Sequence, residues 1–186
     1  MTTKGSITVR VAEPSEYGAL GELVVAAYRG LTNADTSAGY EDRLRAVAQR
    51  AVDGVVLAAV KGANAADGRD GEVVGCVTYV PGLESPLAEE LVEGEAAVRM
   101  LGVHPAAQRQ GVGEALMVAC IDRARAAGRG RLVLHSTPWM ASAHRLYERI
   151  GFRRVAERDW TPVPTVPLWG FALDLDLEGG EAAGER

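Results

Sequence analysis

The stretch AAVRMLGVHPAAQRQGVGEALMVACIDRARAAGRGRLVLHS, Ala96 to Ser136, decides how this chain folds. Ala96–Val103 is an apolar run of strand length, and RLVLHS, Arg131–Ser136, is another. Between them a helical run of about sixteen residues starts near Gly111. Strand, helix and strand make a crossover unit whose two strands are expected to lie parallel in one sheet. The turn into the helix reads QRQGVG, Gln108–Gly113, after His104 and Pro105. A helix start leaves backbone N–H groups unpaired and concentrates partial positive charge, so a loop entering it can hold a phosphate. Gly111 and Gly113 permit close backbone approach, whereas an ordinary capping turn would use the same residues.

Outward from this unit the periods alternate. Ile7–Glu13 alternates as a strand, and Pro14 and Ser15 open a helix carrying Tyr17, Leu20, Val24, Ala27 and Tyr28 on one face, ending at Gly30. A second helical stripe holds Tyr40, Leu44, Val47 and Ala51, with Gly54 as its expected left-handed cap. Val55–Gly62 and Glu72–Gly82 read as a long hairpin around GANAADGRDG, whose tip is expected to be mobile. Leu83–Gly94 is an acidic insert before the central strand. After Ser136, Thr137 and Pro138 make a cap and first-turn pair for a helix with Trp139, Ala143, Leu146, Tyr147 and Ile150 on its stripe, ended by Gly151. Phe152–Trp160 and Pro167–Leu177 read as two closing antiparallel strands joined by TPVPTVP. The result is an α/β fold in one domain over 1–177, with 178–186 expected to be a disordered tail.

Composition narrows the function. With 20 Lys+Arg against 25 Asp+Glu the formal charge is −5, which leaves no whole-molecule footprint for nucleic acid or anionic lipid. The Arg123–Arg131 cluster lacks interleaved aromatics and suits a helix C-terminus. No apolar run approaches the ~20 residues needed to span a bilayer, and MTTKGSITVR carries no apolar leader, so a cytoplasmic protein is expected. Cys76 and Cys120 lack disulfide or zinc spacing, and His104, His135 and His144 form no metal-ligand pattern, so no metal is expected.

QRQGVG is neither a dinucleotide fingerprint, which needs a third glycine, nor a Walker loop, which ends in Lys-Ser/Thr. Together with ASAHRLYERIGF, Ala141–Phe152, it resembles the GNAT superfamily of acetyl-CoA-dependent N-acetyltransferases: Gln108, Gly111 and Gly113 meet the (Q/R)xxGx(G/A) signature, and Tyr147 occupies the LYE position before GF. The resemblance covers nearly the whole chain. It implies a mixed central sheet of about seven strands with four helices packed on it.

It further implies acetyl-CoA as acyl donor, its pyrophosphate held by amides of Gln108, Arg109, Gln110, Gly111, Val112, Gly113 and Glu114, with Arg109 as an extra phosphate contact. Leu101, Gly102 and Val103 would offer backbone groups to the pantetheine arm and the thioester carbonyl where the central strand splays from its neighbour. Ala143 fits the family pattern four residues before the tyrosine. Met140 stands where many members carry Asn. Tyr147 would donate a hydrogen bond to the departing sulfur.

The partner implied is an amine acceptor, small molecule or peptide, attacking in a ternary complex; monomer and homodimer are both open. An alkylammonium with pKa near ~10.4 must first lose a proton, for which Glu95 and Glu84 are candidate bases. Arg99, inside the apolar strand, needs a carboxylate partner or could bind an acidic group on the acceptor. A non-catalytic acyl-CoA-sensing domain would keep the loop but would not need Tyr147.

Overall fold

A computed structural model describes residues 6–29, 38–62, 71–163 and 166–175. β1 (Ile7–Val11) leads through a 3₁₀ turn at Pro14–Glu16 into α1 (Tyr17–Arg29), then α2 (Ala38–Arg45) and α3 (Val47–Asp53). β2 (Val55–Lys61), β3 (Glu72–Val80) and β4 (Glu95–Val103) follow, and α4 (Val112–Ala126) crosses to β5 (Arg131–Ser136). α5 (Ala141–Arg149), β6 (Arg153–Arg154), β7 (Trp160–Val163) and β8 (Val166–Asp174) complete the order.

The sheet has eight strands in the order β1-β2-β3-β4-β5-β8-β6, with β7 pairing β8. β1 to β4 form an antiparallel meander, β4 and β5 pair in parallel as expected, and β8 inserts antiparallel beside β5. Two apolar layers hold it. On one face Leu20, Val24 and Val25 of α1 and Val47 of α3 pack with Val56, Ala58 and Cys76. On the other Leu116, Met117 and Cys120 of α4 pack with Leu57, Val77, Val98 and Leu134, and Tyr147 and Phe171 join this layer. Burial of each large aliphatic side chain contributes roughly 1.5–3 kcal/mol, which outweighs the weak helix propensity of the valine-rich segments.

Several expectations are corrected. The stripe from Tyr40 to Ala51 is two helices, because Ala46 leaves helical geometry at ψ 51°. Gly54 is extended rather than left-handed; its missing side chain is required because a Cβ there would meet the Tyr79 carbonyl oxygen at 2.7 Å. Thr137 and Pro138 do not begin α5: Met140 N–H bonds the Thr137 carbonyl in a preceding turn, and the helix starts at Ala141. Phe152–Trp160 is no single strand, since the turn at Ala156–Arg158 cuts it to the two residues of β6 before β7 begins. Among the described residues there are eight strands and five helices, close to the expected sheet of about seven strands with four helices. The tip of the GANAADGRDG loop, most of Leu31–Gly39 and the 178–186 tail lie outside the described residues.

Candidate functional site

Two irregularities in β4 create an opening in the middle of the sheet. The β4–β5 ladder runs from Glu95↔Arg131 to Val98↔Leu134 and ends there, although β5 continues along β8 to Ser136↔Trp169. On its other edge β4 pairs Thr78↔Arg99 and Cys76↔Gly102, so Met100 and Leu101 together oppose Val77 in a bulge. Met100 takes φ +50°, a conformation that costs a residue with a side chain roughly 1 kcal/mol or more. Arg99–Val103 thus has no partner in β5, as expected for a splayed central strand.

β4 then runs into the loop before α4. Gly111 caps α4 at φ +90° and ψ 0°, and a Cβ built on it would meet nothing within 4 Å. The first intrahelical bond comes from Ala115 N–H to the Gly111 carbonyl, so the amides of Val112, Gly113 and Glu114 lack helical partners. Arg109 also holds a positive φ of 60° and is exposed. The two glutamines brace the loop: Gln110 Nε2 donates to the Ala106 carbonyl and its Oε1 accepts from Lys61, while Gln108 Nε2 reaches the Val103 carbonyl. Gly113 serves a second purpose, because a Cβ there would lie 3.2 Å from Leu146 and within 4.0 Å of Val103 and Leu101. The first turn of α4, the end of β4 and α5 therefore meet at one point. Gly102 similarly lets Val24 of α1 close on β4, where a Cβ would stand 3.2 Å from its Cα.

Ala143 and Leu146 line the α5 side of this groove, and Tyr147 is buried beside them. Its ring packs 5.6 Å from Phe171 and 6.1 Å from Phe152. Burial pushes the phenol up to about 12, and hydrogen bonding with Ser136 pulls it partly back. Ser136 is the last residue of β5 and also lies 3.2 Å from His144 Nε2. Met140 approaches the same hydroxyl with its sulfur, occupying the position where Asn was absent from the pattern.

The structure does not bring Glu95 to this end of the groove. It is the first residue of β4, eight residues and about 26 Å of strand from Val103. Only 3% of its side chain is exposed; Arg158 bonds Oε1 at 2.6 Å, Arg131 stands at 3.8 Å, and the Val92 N–H donates to Oε2. A carboxylate held this way anchors the start of the strand. Glu84 is an exposed partner of Arg129 at 3.7 Å.

Sequence reasoning missed three features. Arg149, at the end of α5, bonds Glu114 at 2.8 Å and so offsets the one acidic side chain in the first turn of α4. His135 stands one residue past the last β4–β5 pair, on the face opposite α4. Its Nε2–H donates to the Arg158 carbonyl at 2.9 Å, which leaves Nδ1 as the lone-pair nitrogen, buried and without a partner among the described residues. Burial lowers its pKa below the usual 6.5, against the hydrogen bond to the Arg158 carbonyl, which raises it; the Arg99 and Arg158 charges add weakly to the lowering. Arg50, on α3, is a buried guanidinium beneath the bulge. No spacing rule marks either of these.

Burial also pushes the Cys76 and Cys120 thiols up to about 11 and 12, so both are inert core residues. No group of three or more His, Cys, Asp or Glu side chains could hold a metal among the described residues, and no described helix is long and apolar enough to cross a membrane.

Comparison with known proteins agrees with this geometry. The sequence model of the Acetyltransferase (GNAT) family matches residues 27–152. A search of curated proteins finds no match. Among solved structures, Salmonella typhimurium yncA, solved with its cofactor acetyl-CoA, is 22% identical with a TM-score of 0.64, covering 96% of this chain and 98% of its own. A ribosomal-protein-alanine N-acetyltransferase from Brucella melitensis is 21% identical at a TM-score of 0.65, covering 90% and 99%. An acetyltransferase of the GNAT family from Staphylococcus aureus Mu50 is 15% identical at 0.69, covering 91% and 99%. At these identities the likeness is one of fold.

Proposed function

Since this chain belongs to the GNAT acetyltransferase family, whose reaction is acetyl-CoA-dependent acetylation, we propose that its groove transfers the acetyl group to a primary amine by direct attack in a ternary complex. A nitrogen–carbon bond forms, the thioester carbon–sulfur bond breaks, CoA departs as the thiol, and the amine gives up one proton. The observation that carries this reading is the meeting of the open α4 N-terminus, the unpaired end of β4 and Leu146 of α5, the residue before Tyr147, at one point.

Each residue then has a role. The free amides of Val112, Gly113 and Glu114, with those of Arg109–Gly111 leading into them, bind the pyrophosphate, and the space over Gly111 admits it, while the Gln108 N–H is engaged by the Pro105 carbonyl. Arg109 supplies a charge-assisted contact. Backbone groups of Leu101, Gly102 and Val103 orient the thioester arm and polarise its carbonyl. Ala143 keeps the α5 wall low. Tyr147 donates a hydrogen bond to the sulfur as negative charge develops there. Glu95 and Arg158 hold the base of the strand. Proton acceptance from the amine falls to Nδ1 of His135, which is neutral at pH 7 because burial disfavours its charged form.

The test is thiol release from acetyl-CoA with a library of amines, run beside calorimetric binding of acetyl-CoA. Turnover with at least one amine class is expected. Tight binding of acetyl-CoA with no turnover on any amine would instead identify a non-catalytic acyl-CoA sensor.

A further inference from the structure

Resting on the acetyl-transfer reading, the side chains beneath the β4 bulge narrow the acceptor. Arg50 is 3% exposed, and its Nε and Nη2 have no hydrogen-bond partner among the described residues. Its Nη1 points at the thioether sulfur of Met100, the bulge residue, and a thioether is a weak acceptor that returns no charge. Its electrostatic neighbours among the described residues are Cys76, Tyr28 and Tyr40, and no carboxylate is among them. A buried cation without a counter-ion is costly, and a fold that retains one leaves it for something that arrives later.

Two further polar groups share this place. Thr78 and Arg99 sit directly opposite each other in the β3–β4 register, so their side chains emerge on one face. That face is the one covered by α1 to α3, because Cys76, two residues before Thr78, packs in that layer. Thr78 is 1% exposed with Oγ1 unpartnered. Arg99 is 14% exposed on its side chain; Nη2 donates to the Glu89 carbonyl at 2.7 Å, Glu89 Oε2 is 3.9 Å away, and Nε is unpartnered. Arg50 reaches the bulge at Met100, the residue next to Arg99, and Arg99 faces Thr78 across β3 and β4, so the three polar groups lie around the bulge on one face of the sheet.

We propose that this site takes a carboxylate carried by the acceptor, so that the amine acetylated is that of a free amino acid or a closely related amino-carboxylate. The unpartnered nitrogens of Arg50 are the two on one edge of the guanidinium, and that edge presents parallel N–H donors to a planar carboxylate. Thr78 Oγ1 and Arg99 Nε supply further donors. The position matches the chemistry: Met100 adjoins Leu101, whose backbone faces the thioester arm, so a carboxylate here leaves an amine a few bonds away within reach of the opening.

The enzyme is assayed at saturating acetyl-CoA with the L-amino acids and short ω-amino acids, each beside its carboxamide and the amine lacking the carboxyl group. The acids are expected to show kcat/KM at least ~30-fold above their neutral counterparts. Arg50→Met should abolish that preference and leave acetyl-CoA affinity unchanged, while raising Tm because an uncompensated buried charge is removed. Arg50→Lys should restore part of the preference. Equal use of acids and amides, or an Arg50→Met loss shared equally by both, overturns the inference and leaves acetyl transfer standing. A fall in Tm on Arg50→Met with loss of every activity marks a structural arginine and also overturns it. If that variant does not fold, the matched substrates decide alone. Thiol release with none of the amines, despite bound acetyl-CoA, defeats the acetyl-transfer reading itself.

Discussion

Tyr147→Phe removes one oxygen from a buried ring and separates two mechanisms for the departing sulfur. The phenol is pushed up to about 12, and an ordinary thiol titrates near ~8.5. That gap of about 3.5 pKa units makes complete proton transfer from phenol to thiolate uphill by about 5 kcal/mol. A hydrogen bond that strengthens as charge builds on sulfur has no such penalty, and losing one to a charged group costs about 1.5–3 kcal/mol. Turnover should therefore fall ~10- to 150-fold, with KM for acetyl-CoA within about threefold of the parent. Ser136 keeps its contact with His144 in the variant, so the loss of stability should be about 1 kcal/mol, or roughly 2–4 °C in Tm. Steady-state kinetics from pH 6 to 10 with thiol detection read this directly. The parent should show no alkaline loss of kcat, because the phenol stays protonated throughout that range. An unchanged rate in Tyr147→Phe refutes the placement of the phenol at the sulfur. A drop beyond ~10⁴-fold with an alkaline limb in the parent near pH 9 refutes the hydrogen-bond argument in favour of full proton transfer.

Gly111→Glu should cost about 1–2 kcal/mol through its left-handed φ and abolish measurable acetyl-CoA binding in calorimetry by placing a carboxylate at the free amides of α4, while circular dichroism stays native. Glu95→Gln should cost about 3 kcal/mol or more by leaving Arg158 unpaired, seen as a drop in Tm of about 6 °C or more, with kcat altered less than about threefold below the melting range; a collapse of kcat at unchanged Tm would restore Glu95 as the base. His135 and His144 are both lowered by burial, so below pH 6.5 the unfolded imidazoles take up protons that the folded ones refuse. Stability should therefore decline as pH falls through 6.5 towards the lowered folded values, and substituting Asn at either position should flatten that slope in a Tm series from pH 7.5 to 5.5. The same lowering places the acid limb of kcat/KM below pH 6.5, and Asn at position 135 should abolish it.

The crossover unit and the phosphate loop were legible because their signals are local: apolar runs of strand length, glycines where φ is positive, and a helix start between them. Tyr147 was legible only together with the motif around it. The break at Ala46 was not, because Leu44, Val47 and Ala51 keep helical spacing on both sides of it; the close approach of α1 just before it, where a Cβ on Gly21 would stand 2.9 Å from the Arg45 carbonyl oxygen, is long-range. Gly54 was misread as a cap for the opposite reason. Its absence of a side chain answers a long-range approach by Tyr79 that no window of sequence contains. Glu95 lies on the expected strand but at the end away from Val103, and chain order does not say which carboxylates are already engaged by arginines 36 and 63 positions downstream. Arg50 and Thr78 were invisible in the sequence, where one reads as part of an amphipathic helix and the other as a β-branched strand residue.

From Arg99 to Val103 a single strand is interior on its β3 side and a rim on its β5 side. Hydrogen–deuterium exchange should register this as two classes of amide, those turned towards β3 exchanging slowly and those turned into the gap exchanging faster, with the bulge at Met100 and Leu101 interrupting their alternation. Such a half-zipped strand is also a standing invitation to any extended chain, so a peptide offering the right register would compete with the acyl donor for the same amides.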